Sequence, residues 1–391
     1  HVSQLYANLY SKFHLPAFSR INPSQVKMEK ETIGKGAFGK VYPGVLTLAG
    51  IKGVEVAVKQ IVKGLSSGIF HSSLLVSFQK EARILAPLHS PYIVKMFGYI
   101  IDEKMGVGLV LERCNGSIRG LLESGLPMEW KTKIDILIQA AKGVGYLHAY
   151  RPIICHRDLK SANLLYNTLQ NGRYRVKVTD FGLSTRVDNR ELMTGRRGTP
   201  GWVAPEVIRA HAYDAACDVY SFGIVMWEVL TRTIPYKEKK FARFAVGKEL
   251  DDQIVMGKRP TIPPFLPTPT PTRTSTPHTT PRVGGEGGEE ERESSSKTSS
   301  SPSPSLRQSP SEGAAPAHLS SFADTTVPDR SDEISAELWR GLEEEQQQRF
   351  AALIQRCWHK RPRVRPSMAE IEEELCKLGE SVGVNPDEYP K

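Results

Sequence analysis

Apolar positions between residues 26 and 111 recur on a short period, with β-branched clusters at 54–62 and 107–111. Such alternation predicts strands whose side chains point in turn to two faces. One stretch departs from it: Leu74, Leu75, Phe78, Ala82 and Leu85 return at helical spacing, which predicts a helix over 73–85. A small, mainly antiparallel sheet with one helix is expected. From about residue 121 the period turns helical. Long helices are predicted over 130–148 and 218–231, and a last helical block over 331–378, broken by Pro362 and Pro366.

Between 263 and 330 the pattern disappears. This stretch is dense in Pro, Ser, Thr and Gly and almost free of large apolar residues. It cannot bury enough surface to offset its ordering entropy, so disorder is expected. Doubling a surface loop costs only about 0.6 kcal/mol, so a folded domain can carry such an insertion.

Composition narrows the class. The 391 residues suffice for one large two-lobed domain or two to three average ones. Lys plus Arg exceed Asp plus Glu by 52 to 43, a net charge of +9. The basic residues are dispersed, with no Lys/Arg block interleaved with aromatics, so no nucleic-acid partner is expected. Cys114, Cys155, Cys217, Cys357 and Cys376 are odd in number and form no CxxC pair. That argues against a disulfide framework or structural zinc and for a reducing interior, cytoplasmic or nuclear. No apolar run approaches membrane-spanning length, so no transmembrane segment is expected.

Candidate chemistry begins at Gly34, Gly36 and Gly39, in the order GxGxxGxV ending at Val41. Glycines at this spacing let backbone N–H groups approach phosphate oxygens. A dinucleotide-binding turn or a flexible hairpin fits the spacing equally, although a strand rather than a helix follows. Val56-Ala57-Val58-Lys59 ends a β-branched run; Lys59 is a strand-edge lysine or, with Glu81 on the predicted helix, a phosphate-holding pair. His156-Arg157-Asp158-Leu159-Lys160-Ser161-Ala162-Asn163 is more specific, because ordinary polar turns seldom combine these residues. Asp158 can orient a hydroxyl or accept its proton, Lys160 can offset charge, and Asn163 can ligate a cation. Asp180-Phe181-Gly182 places a carboxylate just past a strand, where a hard cation such as Mg²⁺ can be held. Ala204-Pro205-Glu206 follows, with Arg365 as a candidate ion-pair partner for Glu206.

Taken in order, GxGxxGxV, VAVK, a helical Glu, HRDLKxxN, DFG and APE occur at the spacings of one family. The chain resembles the eukaryotic protein kinases over about 26–378. Asp218-Val-Tyr-Ser-Phe-Gly223, Cys357-Trp358 and Arg365-Pro366-Ser367 resemble the tyrosine-kinase-like group of serine/threonine kinases. The resemblance implies an α+β, bilobal fold. Its parts would be an N-terminal extension (1–25), a β-rich small lobe (26–112) and a helical large lobe (113–262 and 331–380). The insertion (263–330) would interrupt that lobe, and a tail (381–391) would follow it. ATP would bind between the lobes with Mg²⁺ or Mn²⁺. Lys59 and Glu81 would hold its phosphates, Asn163 and Asp180 the metal. Leu111 would guard the back pocket, Glu112 and Cys114 would offer backbone hydrogen bonds to adenine, and Val41, Ala57 and Leu165 would sandwich it. Leu85, Met96, His156 and Phe181 would stack as a column joining the lobes.

Lys160 and Thr199 lie where serine/threonine kinases place such residues, whereas Trp202 is shared with tyrosine kinases. Protein serine/threonine substrates are therefore expected. Dual specificity, tyrosine specificity and an ATP-binding pseudokinase scaffold are the alternatives. Arg157 implies control by phosphorylation of the activation segment, with Thr194 as the leading site for an upstream kinase and Ser184, Thr185 and Thr199 behind it. Ser/Thr-Pro steps from Thr268 to Ser309 make the insertion a candidate substrate for proline-directed kinases or a docking tail. Two departures stand out. Pro43 removes a ladder donor within the strand after the Gly-rich loop, which would loosen the roof of the ATP site if that donor faced the neighbouring strand. Pro200-Gly201 makes an uncommon substrate-docking loop.

Overall fold

The computed structural model describes residues 20–36, 39–48, 51–62, 72–102, 105–187, 193–241, 247–265 and 337–390. Its first half is a six-stranded antiparallel sheet of β1 (Val26–Met28), β2 (Gly34–Gly36), β3 (Gly39–Leu48), β4 (Ile51–Val62), β5 (Met96–Asp102) and β6 (Gly106–Glu112). The order is β1-β3-β4-β6-β5, with β2 also pairing with β3. The two-residue period sorts the faces. Val56, Val58 and Val110 join Ile21, Val26, Leu46 and Ile100 in one apolar cluster. Leu109 and Leu111 belong to the other, larger cluster, together with Phe78, Ala82 and Leu85 of α1 (Ser72–Leu85). Lys59 alternates with Val58, so the same period turns its ammonium toward α1.

The second half is mainly helical: α2 (Ile118–Glu123), α3 (Trp130–Ala149), α4 (Pro205–Ile208), α5 (Ala216–Thr231), α6 (Lys248–Val255), α7 (Glu344–Cys357) and α8 (Met368–Ser381). Short strands β7 (Gly116–Ser117), β9 (Leu164–Thr168) and β10 (Tyr174–Val178) form one small sheet; β8 (Ile153–Cys155) and β11 (Thr185–Val187) form another. The centre is α5, mostly apolar apart from Asp218, Ser221 and Glu228 and buried along nearly its whole length, as a helix enclosed by others is expected to be. At Gly223 a Cβ would sit 2.8 Å from the Cβ of Cys357, so the glycine lets α7 approach.

The chain already packs against the sheet before residue 26. Ile21 is buried, donates its N–H to Tyr99 O at 2.9 Å and joins the outer sheet cluster. The segment after α8 is docked rather than free. Tyr389 donates to Asp135 at 2.5 Å, and Tyr92 donates to Pro390 O at 2.9 Å. The expected insertion lies outside the described residues apart from 263–265, and so does the extension before residue 20. The chain on either side of it is joined: Trp339 Nε1 donates to Pro263 O at 3.2 Å, and its ring lies 5.6 Å from that of Trp130.

Pro43 pairs opposite Ala57 of β4. Its carbonyl accepts from Glu29 N at 2.9 Å, on the β1 side. A strand residue turns its N and O to the same edge, so the missing donor also faces β1 and costs β4 nothing. The β3–β4 pairing is therefore not loosened by Pro43.

Candidate active site

Two groups of polar side chains converge where the sheet meets the helical half. In the first, Lys59 Nζ on β4 lies 2.7 Å from Glu81 Oε1 on α1 and 2.8 Å from Asp180 Oδ1. Asp180 follows β10 in the left-handed region (φ 65°), which aims its carboxylate back at the lysine. Burial works against the Lys59 charge, but Glu81 and then Asp180 outweigh it and raise the ammonium above its ordinary range. Burial likewise opposes ionisation of Asp180, yet the Lys59 charge and hydrogen bond, helped by His156 and Lys160, hold that carboxyl below its usual range. Lys59 thus has its charge reinforced and its reach fixed.

The second group surrounds Asp158. Thr199 Oγ1 donates to its Oδ1 at 2.5 Å, and Lys160 Nζ donates to its Oδ2 at 2.8 Å and to Thr199 Oγ1 at 2.7 Å. Asn163 Nδ2 donates to Asp158 O (2.8 Å) and Oδ2 (3.0 Å), which leaves Asn163 Oδ1 without a partner among the described residues. The loop is pinned from below by Asp218 of α5. This fully buried carboxylate accepts from the N–H groups of His156 and Arg157, both at 2.7 Å, and from His148 Nε2 at 3.0 Å. Burial would raise its pKa, but His148 first and then His156 and Arg157 N keep it low. His156 Nδ1 accepts from Asp158 N at 3.3 Å, and its Nε2 meets Thr179 O at 2.9 Å. That ring packs edge-on against Phe181 at 5.3 Å, with both residues and Leu85 buried and Met96 partly so.

The remaining expected residues lie on β2, β3, β4, β6 and β9 and on the segment after β6. Gly36 pairs with Gly39 across the β2–β3 hairpin, while Ala37 and Phe38 lie outside the described residues. Gly39 has φ +136°, and a Cβ there would stand 2.2 Å from Gln60 O, so only glycine closes this hairpin. Val41 pairs with Lys59, and Ala57 with Leu111. Leu165 lies on β9 between β7 and β10. Cys114 N and O have no backbone hydrogen-bond partner among the described residues, an open donor–acceptor pair on the segment between β6 and β7. Its thiol is pushed up to about 12, by burial first and Glu112 second, and is not a nucleophile. The Glu112 N–H donates to Lys95 O at 2.8 Å, and its carboxylate pairs with Lys177 at 3.0 Å.

Sequence reading overlooked two features. Glu228, deep in α5, is tied to Ser161 and Trp202; the signal was a lone acid within an apolar helical run. Lys80, Arg157 and Arg197 form a cationic group with no carboxylate partner among the described residues. Burial, then Arg157 and Arg197, lowers the Lys80 pKa. Arg157 donates to Leu183 O from Nε at 2.7 Å, close to the exposed Thr194 segment through Tyr213. A groove of about 1050 Å³ lies between α3, the start of α8 and the 89–92 loop; His148 borders it, whereas Lys59, Glu81, Asp158, Lys160, Asn163 and Asp180 do not.

No group of three His, Cys, Asp or Glu side chains among the described residues converges as a metal centre. Asp180 Oδ2 and Asn163 Oδ1 are nevertheless two hard oxygens with no competing bond shown, which fits a cation that takes one or two protein ligands and completes its shell from phosphate and water. No helix among the described residues is long and apolar enough to cross a membrane.

The family model described as "Protein kinase domain" matches residues 28–375. The probable serine/threonine-protein kinase roco5 of Dictyostelium discoideum is 37% identical over 235 residues, covering 60% of this chain and 8% of the relative. A putative serine/threonine-protein kinase/receptor of Acanthamoeba polyphaga mimivirus is 38% identical over 245 residues (62% of this chain, 14% of the relative). The probable serine/threonine-protein kinase drkA of D. discoideum is 38% identical over 234 residues (59% and 33%). The chain therefore spans a third or less of the length of these relatives.

Proposed function

Since the chain belongs to the protein kinase family, we propose that it transfers the γ-phosphoryl group of ATP to serine and threonine hydroxyls of protein substrates. The observation that supports this most is the convergence of Lys59–Glu81–Asp180 with Asp158–Lys160–Asn163–Thr199. Protein-kinase catalysis consists of positioning and electrostatic stabilisation, with little covalent chemistry for the protein to perform. Lys59, held by Glu81, binds phosphate oxygens. Cys114 N and O hydrogen-bond the adenine edge, between Val41, Ala57 and Leu165. Asp158 orients the acceptor hydroxyl, and Lys160 offsets charge on the transferring group. Asp180 and Asn163 hold Mg²⁺ or Mn²⁺, which when bound neutralises charge on the phosphates.

The serine/threonine assignment draws on the relatives' names and on the Thr199–Asp158–Lys160 contacts. Control by phosphorylation draws on the unpaired cations Lys80, Arg157 and Arg197, which suit a phosphate on Thr194. We also propose that 263–330 is an insertion in the large lobe, because Pro263 and Trp339 meet. Its Ser/Thr-Pro steps suit proline-directed kinases.

Incubation with γ-labelled ATP, Mg²⁺ and a generic protein acceptor, followed by identification of the labelled amino acids, tests the assignment. Label on Ser and Thr is expected. Label on Tyr alone overturns the acceptor class, and no label from a Thr194-phosphorylated chain overturns the activity.

A further inference from the structure

Asp180 stands two residues beyond the end of β10, so whatever fixes that strand helps to fix the carboxylate. β10 is an edge strand, laddered on one side with β9. Its other side has a row of backbone groups that no strand pairs along its length. Two elements close that side instead. Gln139 of α3 closes the start: its Nε2 donates to Tyr174 O at 2.8 Å, and its Oε1 accepts from Val176 N at 3.0 Å. The loop after α1 closes the end: Tyr92 O accepts from Val178 N at 2.8 Å, and Val94 N donates to Val178 O at 3.0 Å.

The segment after α8 grips both closures. Val384, buried and donating its N–H to Gly379 O at 2.8 Å, seats it against α8. Tyr389 donates to Asp135 Oδ1 at 2.5 Å, and that same oxygen accepts from Gln139 Nε2 at 3.2 Å. Arg173, the residue before β10, pairs with Asp135 at 3.1 Å and with Glu388, and its guanidinium lies 5.7 Å from the centre of the Tyr389 ring. The next residue, Pro390, accepts at its carbonyl from the Tyr92 hydroxyl at 2.9 Å. Adjacent residues of one segment therefore hold opposite ends of the strand. The match to the kinase family ends at residue 375, so this grip belongs to a part of the chain outside it.

We propose that Tyr389 is a positioning residue for Asp180, acting through Asp135, Gln139 and β10, with Pro390 and Tyr92 fixing the far end of the same strand. The proposal rests on the kinase reading, in which Asp180 holds the cation, and goes beyond it in naming what holds Asp180. Tyr389 acts on the metal side of the reaction and leaves the peptide side alone.

The test uses Tyr389→Ala and Tyr389→Phe in the full chain, with two readouts. The first is hydrogen exchange at the β10 amides, measured without nucleotide or metal. The second is phosphate transfer, followed against Mg²⁺ and against peptide concentration. Exchange at Val176 and Val178 should quicken on the order of tenfold in Tyr389→Ala. The Mg²⁺ concentration that gives half the maximal rate should rise roughly threefold to tenfold, with the peptide KM unchanged. Tyr389→Phe keeps the ring beside Arg173 and removes the hydroxyl donor, so it should fall between wild type and Tyr389→Ala in both readouts. Should Tyr389→Ala fail to fold, Tyr92→Phe, which removes only the bond to Pro390, decides the matter by the same pair of readouts. Wild-type exchange at β10 overturns the proposal. So does faster exchange with an unchanged Mg²⁺ requirement, which reduces the segment to a stability clamp, or a peptide KM that rises by the same factor. A wild-type chain that transfers no phosphate overturns the kinase reading itself, whereas the exchange result does not depend on transfer, which keeps the two failures apart.

Discussion

Lys133 lies on α3, buried to 5% exposure, with its Nζ 4.7 Å from the centre of the Trp130 ring and no carboxylate partner among the described residues. Burial first, and the nearby charge of Arg232 second, push its pKa from 10.5 down to about 8. That gap is worth about 3 kcal/mol of stability, at about 1.4 kcal/mol per unit. Between pH 8 and 10.5 the unfolded chain holds a proton that the folded chain has released, so wild-type stability rises with pH across this window; below it the full penalty is present. Lys133→Met keeps the unbranched stem against Trp130 and removes the charge. The cation–π contact it forfeits is worth roughly 1–2 kcal/mol, so the net gain near neutral pH is about 1–2 kcal/mol. Thermal unfolding of both proteins at neutral pH and again above pH 9 reads this directly. The variant should melt roughly 2–6 °C higher near neutrality and lose most of that advantage in alkali. A variant that melts lower near neutrality, or whose advantage is the same at both pH values, refutes the reasoning.

Glu206 holds the fully enclosed Arg365 by two bonds of 2.6 and 2.9 Å; Glu206→Gln should destabilise by about 3–5 kcal/mol in denaturant unfolding, because it leaves a buried cation without its partner. Thr194→Ala should lower the activity of a chain isolated in its phosphorylated form, and an enzyme indifferent to the change would refute control through Lys80, Arg157 and Arg197. Pro43→Val restores a donor that faces β1, so it should alter stability by no more than about 1 kcal/mol and leave KM for ATP unchanged; a large shift in that KM would mean the donor serves the nucleotide roof.

Period and motif order were enough to anticipate the sheet, α1, α3 and α5, because each carries a strong face: Phe78, Ala82 and Leu85 all enter the core as their spacing implies. The Glu206–Arg365 pair was readable for the same reason that the catalytic loop was, as charged residues in otherwise patterned surroundings. What stayed hidden depends on tertiary placement. Nothing local to Tyr389 says that it will reach Asp135, 254 positions away, and nothing in the Tyr42-Pro43-Gly44 run says which edge the missing donor faces. Glu228 and Lys133 were passed over because each sits in a helix whose periodicity is read from its apolar members. A buried charge shows its partners, or lack of them, only when the neighbouring loops are in place.

The most direct test compares wild type with Asp158→Asn for phosphate transfer from γ-labelled ATP, with Mg²⁺-ATP binding measured alongside. The side-chain amide keeps the size of Asp158 but removes the carboxylate that Thr199, Lys160 and Asn163 surround. Transfer by the wild type that falls by on the order of a hundredfold or more in the variant, with nucleotide binding retained, is what the account predicts. Equal transfer by the two proteins would contradict it, since the acceptor would then be oriented by something other than Asp158.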